Sequence, residues 1–197
     1  FNLVSNIGKY TQVQLAKIGA MVIFASNAIG NCFGKPFYLK ITFQQMLKIG
    51  YYSLPVVGLT AIFSGAVLAL QSYSGFSRFN AESTIATVVV LSITRELGPV
   101  LAGLMVAGRV GASIAAEIGT MRVTEQIDAL RTLSTNPIRY LVVPRLIASV
   151  LVLPMLVLIA DIIGVMGGYL VSVHSLGFSA GPYLANTFKF LEMIDVV

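Results

Sequence analysis

The chain has 197 residues, of which 56% are hydrophobic and only 11% are charged, and this composition excludes an ordinary soluble domain. Its formal net charge is +5, but the basic residues lie at the ends of apolar segments, which is typical of membrane orientation and does not indicate a nucleic-acid partner. A single cysteine, Cys32, excludes an internal disulfide framework and a multi-cysteine metal site. We therefore predict an all-α integral membrane protein without a metal site.

Residues 1–49 are predicted to form an N-terminal interfacial region. Between residues 39 and 48 the apolar side chains recur at helical spacing, and lysine and glutamine residues occupy the other side. This is the pattern of an amphipathic helix that lies in the membrane interface, and residues 9–29 have a similar pattern. The alternative is that these apolar stripes pack on other helices, because hydrophobic periodicity alone does not separate the two arrangements.

Three segments are long and apolar enough to cross a hydrocarbon core, which needs about 20 helical residues. They are residues 50–71, 84–108 and 143–173. The third is longer than one span requires, so we expect a tilt, a kink near Pro154 or an end beyond the bilayer. Together the segments make one transmembrane domain over residues 1–197, and because a new apolar stretch begins near its end we expect further C-terminal spans outside it.

Positive charge is distributed unevenly around the predicted spans. Lysines recur before the first span, and arginines recur between the second and third spans and at their edges. The segment between the first two spans and the tail after the third carry at least as many acidic as basic residues. The positive-inside rule therefore predicts that the N-terminus and the connecting segment, residues 109–142, lie in the cytoplasm.

Two adjacent charged residues, Arg95 and Glu96, lie inside the second predicted span. They are roughly eleven residues from its start, which at about 1.5 Å per residue places them near the middle of the membrane. Pro99 lacks the amide that would bond the carbonyl of Arg95, so we expect a bent helix there. Ionisable groups inside a membrane are candidates for function; the alternative is a buried ion pair with another helix, such as one formed with Asp161.

Asp161 lies in the third predicted span, directly before a group of glycines. Gly164 and Gly168 are four residues apart, which is the spacing at which small residues allow close contact between membrane helices. We therefore predict helix packing at these two glycines.

The connecting segment contains a predicted amphipathic helix that starts at Thr124, the expected N-cap residue. Glu125 and Asp128 near its start and Arg131 near its end suit the helix dipole. Such a helix is placed to dock on a soluble partner; the alternative is a solvated connector. No Walker loop is present, since GNCFGKP at residues 30–36 is one residue short and ends in proline, so any ATP would be bound by a partner.

At residues 95–130 the chain reads RELGPVLAGLMVAGRVGASIAAEIGTMRVTEQIDAL, which closely resembles the signature region of the MlaE-type permeases. These are the membrane subunits of ABC transporters associated with Mce proteins. The resemblance extends to ALQSYSGF at residues 69–76 and NPIRYLVVPR at residues 136–145. It implies phospholipid transport between the inner and outer membranes by a homodimer in the bacterial inner membrane. Members of the family normally have about two more spans than this chain contains.

The same resemblance implies partners and site residues. A separate ATPase would bind the cytoplasmic coupling helix, a periplasmic Mce-domain protein would lie on the outer side, and a small cytoplasmic accessory subunit is compatible with this assembly. Arg95 and Glu96 match the charged pair of the family motif and are expected to line the lipid cavity. The residues expected to contact the ATPase are Arg122, Thr124, Glu125, Gln126 and Asp128.

Two other functions remain open. The depth of Glu96 and Asp161 in the membrane is also compatible with a proton- or ion-coupled carrier, which would work without an ATPase. A purely structural anchor for a periplasmic complex is the third alternative, and it predicts that replacing Arg95 and Glu96 by alanine is harmless.

Overall fold

The computed structural model describes residues 2–32, 34, 38–79 and 84–190, and every long regular element in these residues is helical. The α-helices are α1 (Asn2–Cys32), α2 (Leu39–Phe76), α3 (Ile85–Ser92), α4 (Gly98–Val123), α5 (Gln126–Thr132), α6 (Val143–His174) and α7 (Ala180–Phe190). A first π turn, Ile93–Leu97, joins α3 to α4, and a second π turn, Ile138–Val142, leads into α6. The predicted all-α class is confirmed.

Among the described residues, four helices are long and apolar enough to cross a membrane, one more than the three predicted spans. They are Ile7–Cys32, Leu39–Phe76, Ile85–Val123 and Ile138–His174. The last three overlap the predicted spans and extend beyond them at one or both ends. The first was predicted as interfacial because lysines and glutamines interrupt it, and its mean hydropathy of 1.4 is the lowest of the four. The chain is a multi-pass membrane protein.

The predicted interfacial helix at residues 39–48 is the first part of α2 and continues into the span without a break. α2 has 38 residues, so at about 1.5 Å per residue it is roughly 57 Å long. This is nearly twice the ~30 Å thickness of the hydrocarbon core. Part of α2 therefore extends beyond the core or the helix tilts. Pro55 and Pro154 lie inside α2 and α6, and both helices continue through them.

The chain forms two compact units. The first runs from the N-terminus to Gln45 and includes Met121–Ala148. In this unit α1 packs against the second π turn, and the Arg139 Nε donates a hydrogen bond of 2.7 Å to the Asn31 Oδ1. The rings of Tyr38 and Tyr140 meet edge to face with centroids 5.2 Å apart. These contacts attach the end of α1 to the start of the α6 region.

The second unit contains Met46–Thr120 and the residues from Ser149 onward. Its helices approach so closely that backbone touches backbone: a Cβ added at Gly65 of α2 would overlap the carbonyl oxygen of Gly164 in α6. Ile85, Val89 and Ile93 are buried beside this contact and form a small core with Ala69. Such close approach is how helices associate where surrounding lipid is as apolar as the side chains.

Gly164 and Gly168, the two predicted packing residues, both lie in this contact. The closest atom to a Cβ built on Gly164 would be the Ile93 Cγ2, at 3.1 Å, and on Gly168 it would be the Val89 Cγ1, at 2.6 Å. Both glycines therefore face the segment that leads into the first π turn.

Candidate functional site

The charged pair Arg95–Glu96 lies on the first π turn. The amide of Gly98 donates to the carbonyl of Ile93, five residues back, instead of to Thr94. Pro99 follows directly and has no amide to continue the α-helical pattern. The distortion expected from Pro99 is therefore present, and it takes the form of an inserted residue, a feature that often occurs at functional sites.

Both side chains of the charged pair are exposed on the chain, whereas Ile93 and Thr94 on the same turn are buried. The turn lies within the candidate span Ile85–Val123. A charged side chain at this position requires a polar cavity or a partner surface, because lipid tails offer it no hydrogen bonds. The geometry thus points the pair outward from its own unit.

Asp161 occupies the other side of the same turn. It is 7% exposed, and its Oδ1 has no hydrogen-bond partner in the described part of the chain. Its carboxyl group lies against Gly98, so closely that a Cβ on Gly98 would overlap the Oδ1. Asp161 is thus buried against the turn, whereas the charged pair is exposed.

A small cavity lies beside this contact, between α2, the first π turn, α4 and α6. Its volume is about 10 Å³, which is room for about one water molecule. The lining is apolar except for the hydroxyls of Thr60 and Ser64, and the Thr60 hydroxyl donates to carbonyls of its own helix. The cavity is too small for a lipid chain.

A second surface is formed by the connecting segment. All five residues expected to contact an ATPase, Arg122, Thr124, Glu125, Gln126 and Asp128, are exposed. The short helix is present as α5, but the expected cap at Thr124 is wrong, because the N-cap position belongs to Glu125. Glu125 has a left-handed backbone, with φ 56°, and its side chain makes no capping hydrogen bond.

The short helix ends before the Asn136–Pro137 pair. α5 ends at Thr132, and Ser134 has φ 57°. The Asn136 Oδ1 instead accepts a hydrogen bond of 3.0 Å from the Ile138 amide, so it caps the start of the second π turn. The Arg131 guanidinium lies 3.4 Å from the Asp128 carboxylate, as the charge order on the helix suggests.

An apolar groove of about 340 Å³ lies between α5 and the second π turn. Its lining residues are Met121, Gln126, Ala129, Leu130, Leu133, Tyr140 and Leu141. The periodicity of α5 indicated that Leu130 lies on an apolar face. The sequence pattern did not indicate that Tyr140 and Leu141 line this groove, because their approach to α5 depends on the turn between α5 and the second π turn.

Polar contacts also join α2 to α4. The Lys48 Nζ lies 3.2 Å and 3.3 Å from the two carboxylate oxygens of Glu117, and the Arg109 Nη1 donates a hydrogen bond of 2.9 Å to the Ser53 Oγ. The Lys48 and Glu117 side chains are 48% and 30% exposed, so this ion pair contributes at most about 1 kcal/mol. It aligns the two helices more than it stabilises them.

The sequence is similar to those of known membrane permeases. Residues 42–197 match the family model described as Permease MlaE. A probable ABC transporter permease protein of Rickettsia conorii is 63% identical over 197 residues, which is 100% of this chain and 76% of that protein. The intermembrane phospholipid transport system permease protein MlaE of Haemophilus influenzae is 36% identical over 185 residues, 92% of this chain and 70% of that protein.

A plant protein is similar as well. The chloroplastic protein TRIGALACTOSYLDIACYLGLYCEROL 1 of Arabidopsis thaliana is 40% identical over 156 residues, 79% of this chain and 45% of that protein. The residues of this chain that match the family model, 42–197, include the first π turn, the connecting segment and the packing glycines. The chain therefore belongs to the MlaE permease family and is an ABC transporter permease.

Proposed function

We propose that this permease moves phospholipid between the inner and outer membranes of a diderm bacterium, driven by a separate ATPase. The observation that carries the proposal is the exposed charged pair Arg95–Glu96 on a π turn inside a candidate membrane span. The Haemophilus influenzae relative, named for intermembrane phospholipid transport, supports the choice of substrate. A planar guanidinium such as that of Arg95 is suited to bind a phosphate group.

The lipid site is proposed to lie between two copies of the chain. The cavity beside Gly98 holds about one water molecule, and the charged pair is exposed on the outer surface of its own unit. A second copy facing this surface would enclose the charges in a shared polar cavity, away from lipid tails. A homodimer is therefore the arrangement that we propose.

The ATPase is proposed to bind the connecting segment on the cytoplasmic side of the inner membrane. Five exposed residues, Arg122, Thr124, Glu125, Gln126 and Asp128, and the adjoining apolar groove offer it polar and apolar contacts. The N-terminus would then also be cytoplasmic. A periplasmic Mce-domain protein would occupy the outer side, and a small accessory subunit would accompany the ATPase.

Co-purification tests this assignment. We expect that the full-length permease, expressed with its neighbouring genes and purified through a tag, elutes with an ATP-hydrolysing protein and with phospholipid. Glu125→Lys should abolish capture of the ATPase, because it reverses a charge at the exposed cap of α5. Arg78→Glu, a charge reversal at an exposed residue outside the connecting segment, is the matched control and should leave capture unchanged. Equal capture by both variants would contradict the docking site.

ATP-driven closure is proposed to switch access to the charged cavity, which requires two states that differ in affinity for ATP. We expect spin labels at Leu104→Cys, a position 66% exposed on α4, to change their distance across the dimer when a non-hydrolysable nucleotide is added. Cys32→Ser removes the competing thiol. A distance distribution that stays the same with and without nucleotide would contradict the switch.

The family assignment argues against the ion-coupled carrier that uses Glu96 and Asp161, because an ABC transporter permease works with an ATPase. The carrier predicts that the subunit purifies without an ATPase and that transport follows an ion gradient. The same co-purification therefore separates the two functions.

A further inference from the structure

Asp161 is a buried carboxyl group that the proposed transport cycle does not use. It is 7% exposed, and its Oδ1 lacks a hydrogen-bond partner within the described residues. It lies inside the candidate span Ile138–His174. An isolated carboxylate in such surroundings costs several kcal/mol unless it is paired or neutral, so its presence requires a physical reason.

The surroundings of Asp161 are the backbone of the first π turn. A Cβ on Gly98 would overlap the Oδ1, and it would lie 2.8 Å from the Cγ of Asp161 and 2.9 Å from the carbonyl oxygen of Ile93. The Asp161 carboxyl group and the Ile93 carbonyl therefore both lie beside the Cα of Gly98. Only a residue without a side chain at position 98 allows this contact.

The first π turn also contains a carbonyl that has lost its helical donor. In an α-helix the Gly98 amide would bond the carbonyl of Thr94, but here it bonds that of Ile93. Pro99, the next residue, has no amide to offer Thr94 instead. A backbone carbonyl buried without a donor costs about as much as a lost hydrogen bond, so a side-chain donor at this turn would be stabilising.

In the described part of the chain, no charged residue lines the cavity that adjoins Asp161. The residues of α2, α4 and α6 that line the adjoining cavity are apolar or carry hydroxyls. The two charged residues of the turn itself, Arg95 and Glu96, are exposed on its outer side. A neutral carboxyl group is therefore the form that fits this position, and a neutral carboxyl group has one O–H to donate.

We propose that Asp161 is a positioning residue: its protonated carboxyl group donates a hydrogen bond to a backbone carbonyl of the first π turn and so holds Arg95 and Glu96 at the cavity surface. This inference goes beyond the proposed function and uses it only for the transport readout. Asp161 itself does not contact the lipid.

Two substitutions in the assembled transporter test the role. Asp161→Asn keeps the shape of the side chain and a neutral hydrogen-bond donor, so transport should stay within about two-fold of the unchanged protein. Asp161→Leu removes the donor and should lower transport about ten-fold, which is the effect of one lost buried hydrogen bond. Ser172→Ala is the matched control, because Ser172 is also a fully buried polar residue of α6, and it should transport normally. An Asn variant as defective as the Leu variant, or a Leu variant as active as the control, would overturn the proposal.

Infrared spectroscopy gives a readout that does not depend on transport. The carbonyl stretch of a protonated carboxyl group should be present in the unchanged transporter and missing in Asp161→Asn. If Asp161→Asn instead loses a carboxylate band, Asp161 is charged in the unchanged transporter, and this would overturn the proposal even if the protein transports phospholipid as proposed. The infrared comparison uses only Asp161→Asn, so it tests the proposal even if Asp161→Leu fails to fold.

Discussion

Gly65→Ala is expected to prevent stable assembly of the second unit. The new Cβ would overlap the carbonyl oxygen of Gly164 and lie 3.1 Å from the amide nitrogen of Gly168. Both contacts are with backbone atoms, which cannot rotate away as a side chain can, so α2 and α6 must separate. Overpacking of a well-packed contact usually costs about 1–3 kcal/mol, and we expect the upper end of this range or more.

Thermal unfolding of the purified permease in detergent measures this effect. Gly75→Ala is the matched control, since it lies in the same helix and no atom comes within 4 Å of its added Cβ. Alanine is the better helix former by up to about 1 kcal/mol, so the control should melt at the same or a slightly higher temperature. Equal melting temperatures for the two variants would contradict the close backbone contact.

Replacing both Arg95 and Glu96 by alanine should abolish phospholipid transport while the ATPase stays bound. Each charged contact with a headgroup is worth about 1.5–3 kcal/mol, so loss of both should reduce the rate at least about a hundred-fold. Both side chains are exposed in the single chain, and an equal protein level for the variant checks that the fold is intact. Lipid transfer between vesicles, with the reconstituted transporter in one population, measures the rate.

Leu104→Ala is the control for this double variant, because it shortens an exposed side chain of α4, in the same candidate span, without changing charge. It should transport at the normal rate. A double variant that transports as well as this control, at equal protein level, would leave the structural anchor as the better explanation of the chain.

The helical class and the position of α5 could be predicted because both depend on local composition. Long apolar segments specify membrane helices almost alone, and the polar stretch around Gln126 identified the short helix. Helix ends were less accurate: the amphipathic helix predicted at residues 39–48 and the span predicted at residues 50–71 are one continuous helix, α2. A helix continues past the apolar core wherever polar residues such as Lys40 and Lys48 also favour helix.

The contacts of the site depend on how distant segments meet, and no local pattern reports that. Asp161 was recognised as unusual from its depth, but its packing against Gly98 follows from the register of α6 against the first π turn. The cap at Glu125 was missed because a left-handed residue after α4 replaces the ordinary side-chain cap. Glycine would have been the usual signal for such a turn, and none is present there.

The two π turns share one arrangement: each is followed by one residue and then by proline, Pro99 after Gly98 and Pro144 after Val143. One inserted residue rotates everything beyond it by about 100° around the helix axis. The first turn lies inside the candidate span Ile85–Val123, so α3 before it and α4 after it differ in which side chains face lipid and which face protein. Because a deletion there would rotate the rest of the span, and Pro99 stops the helix from absorbing the surplus residue, chain length at the first turn is as strongly constrained as residue identity.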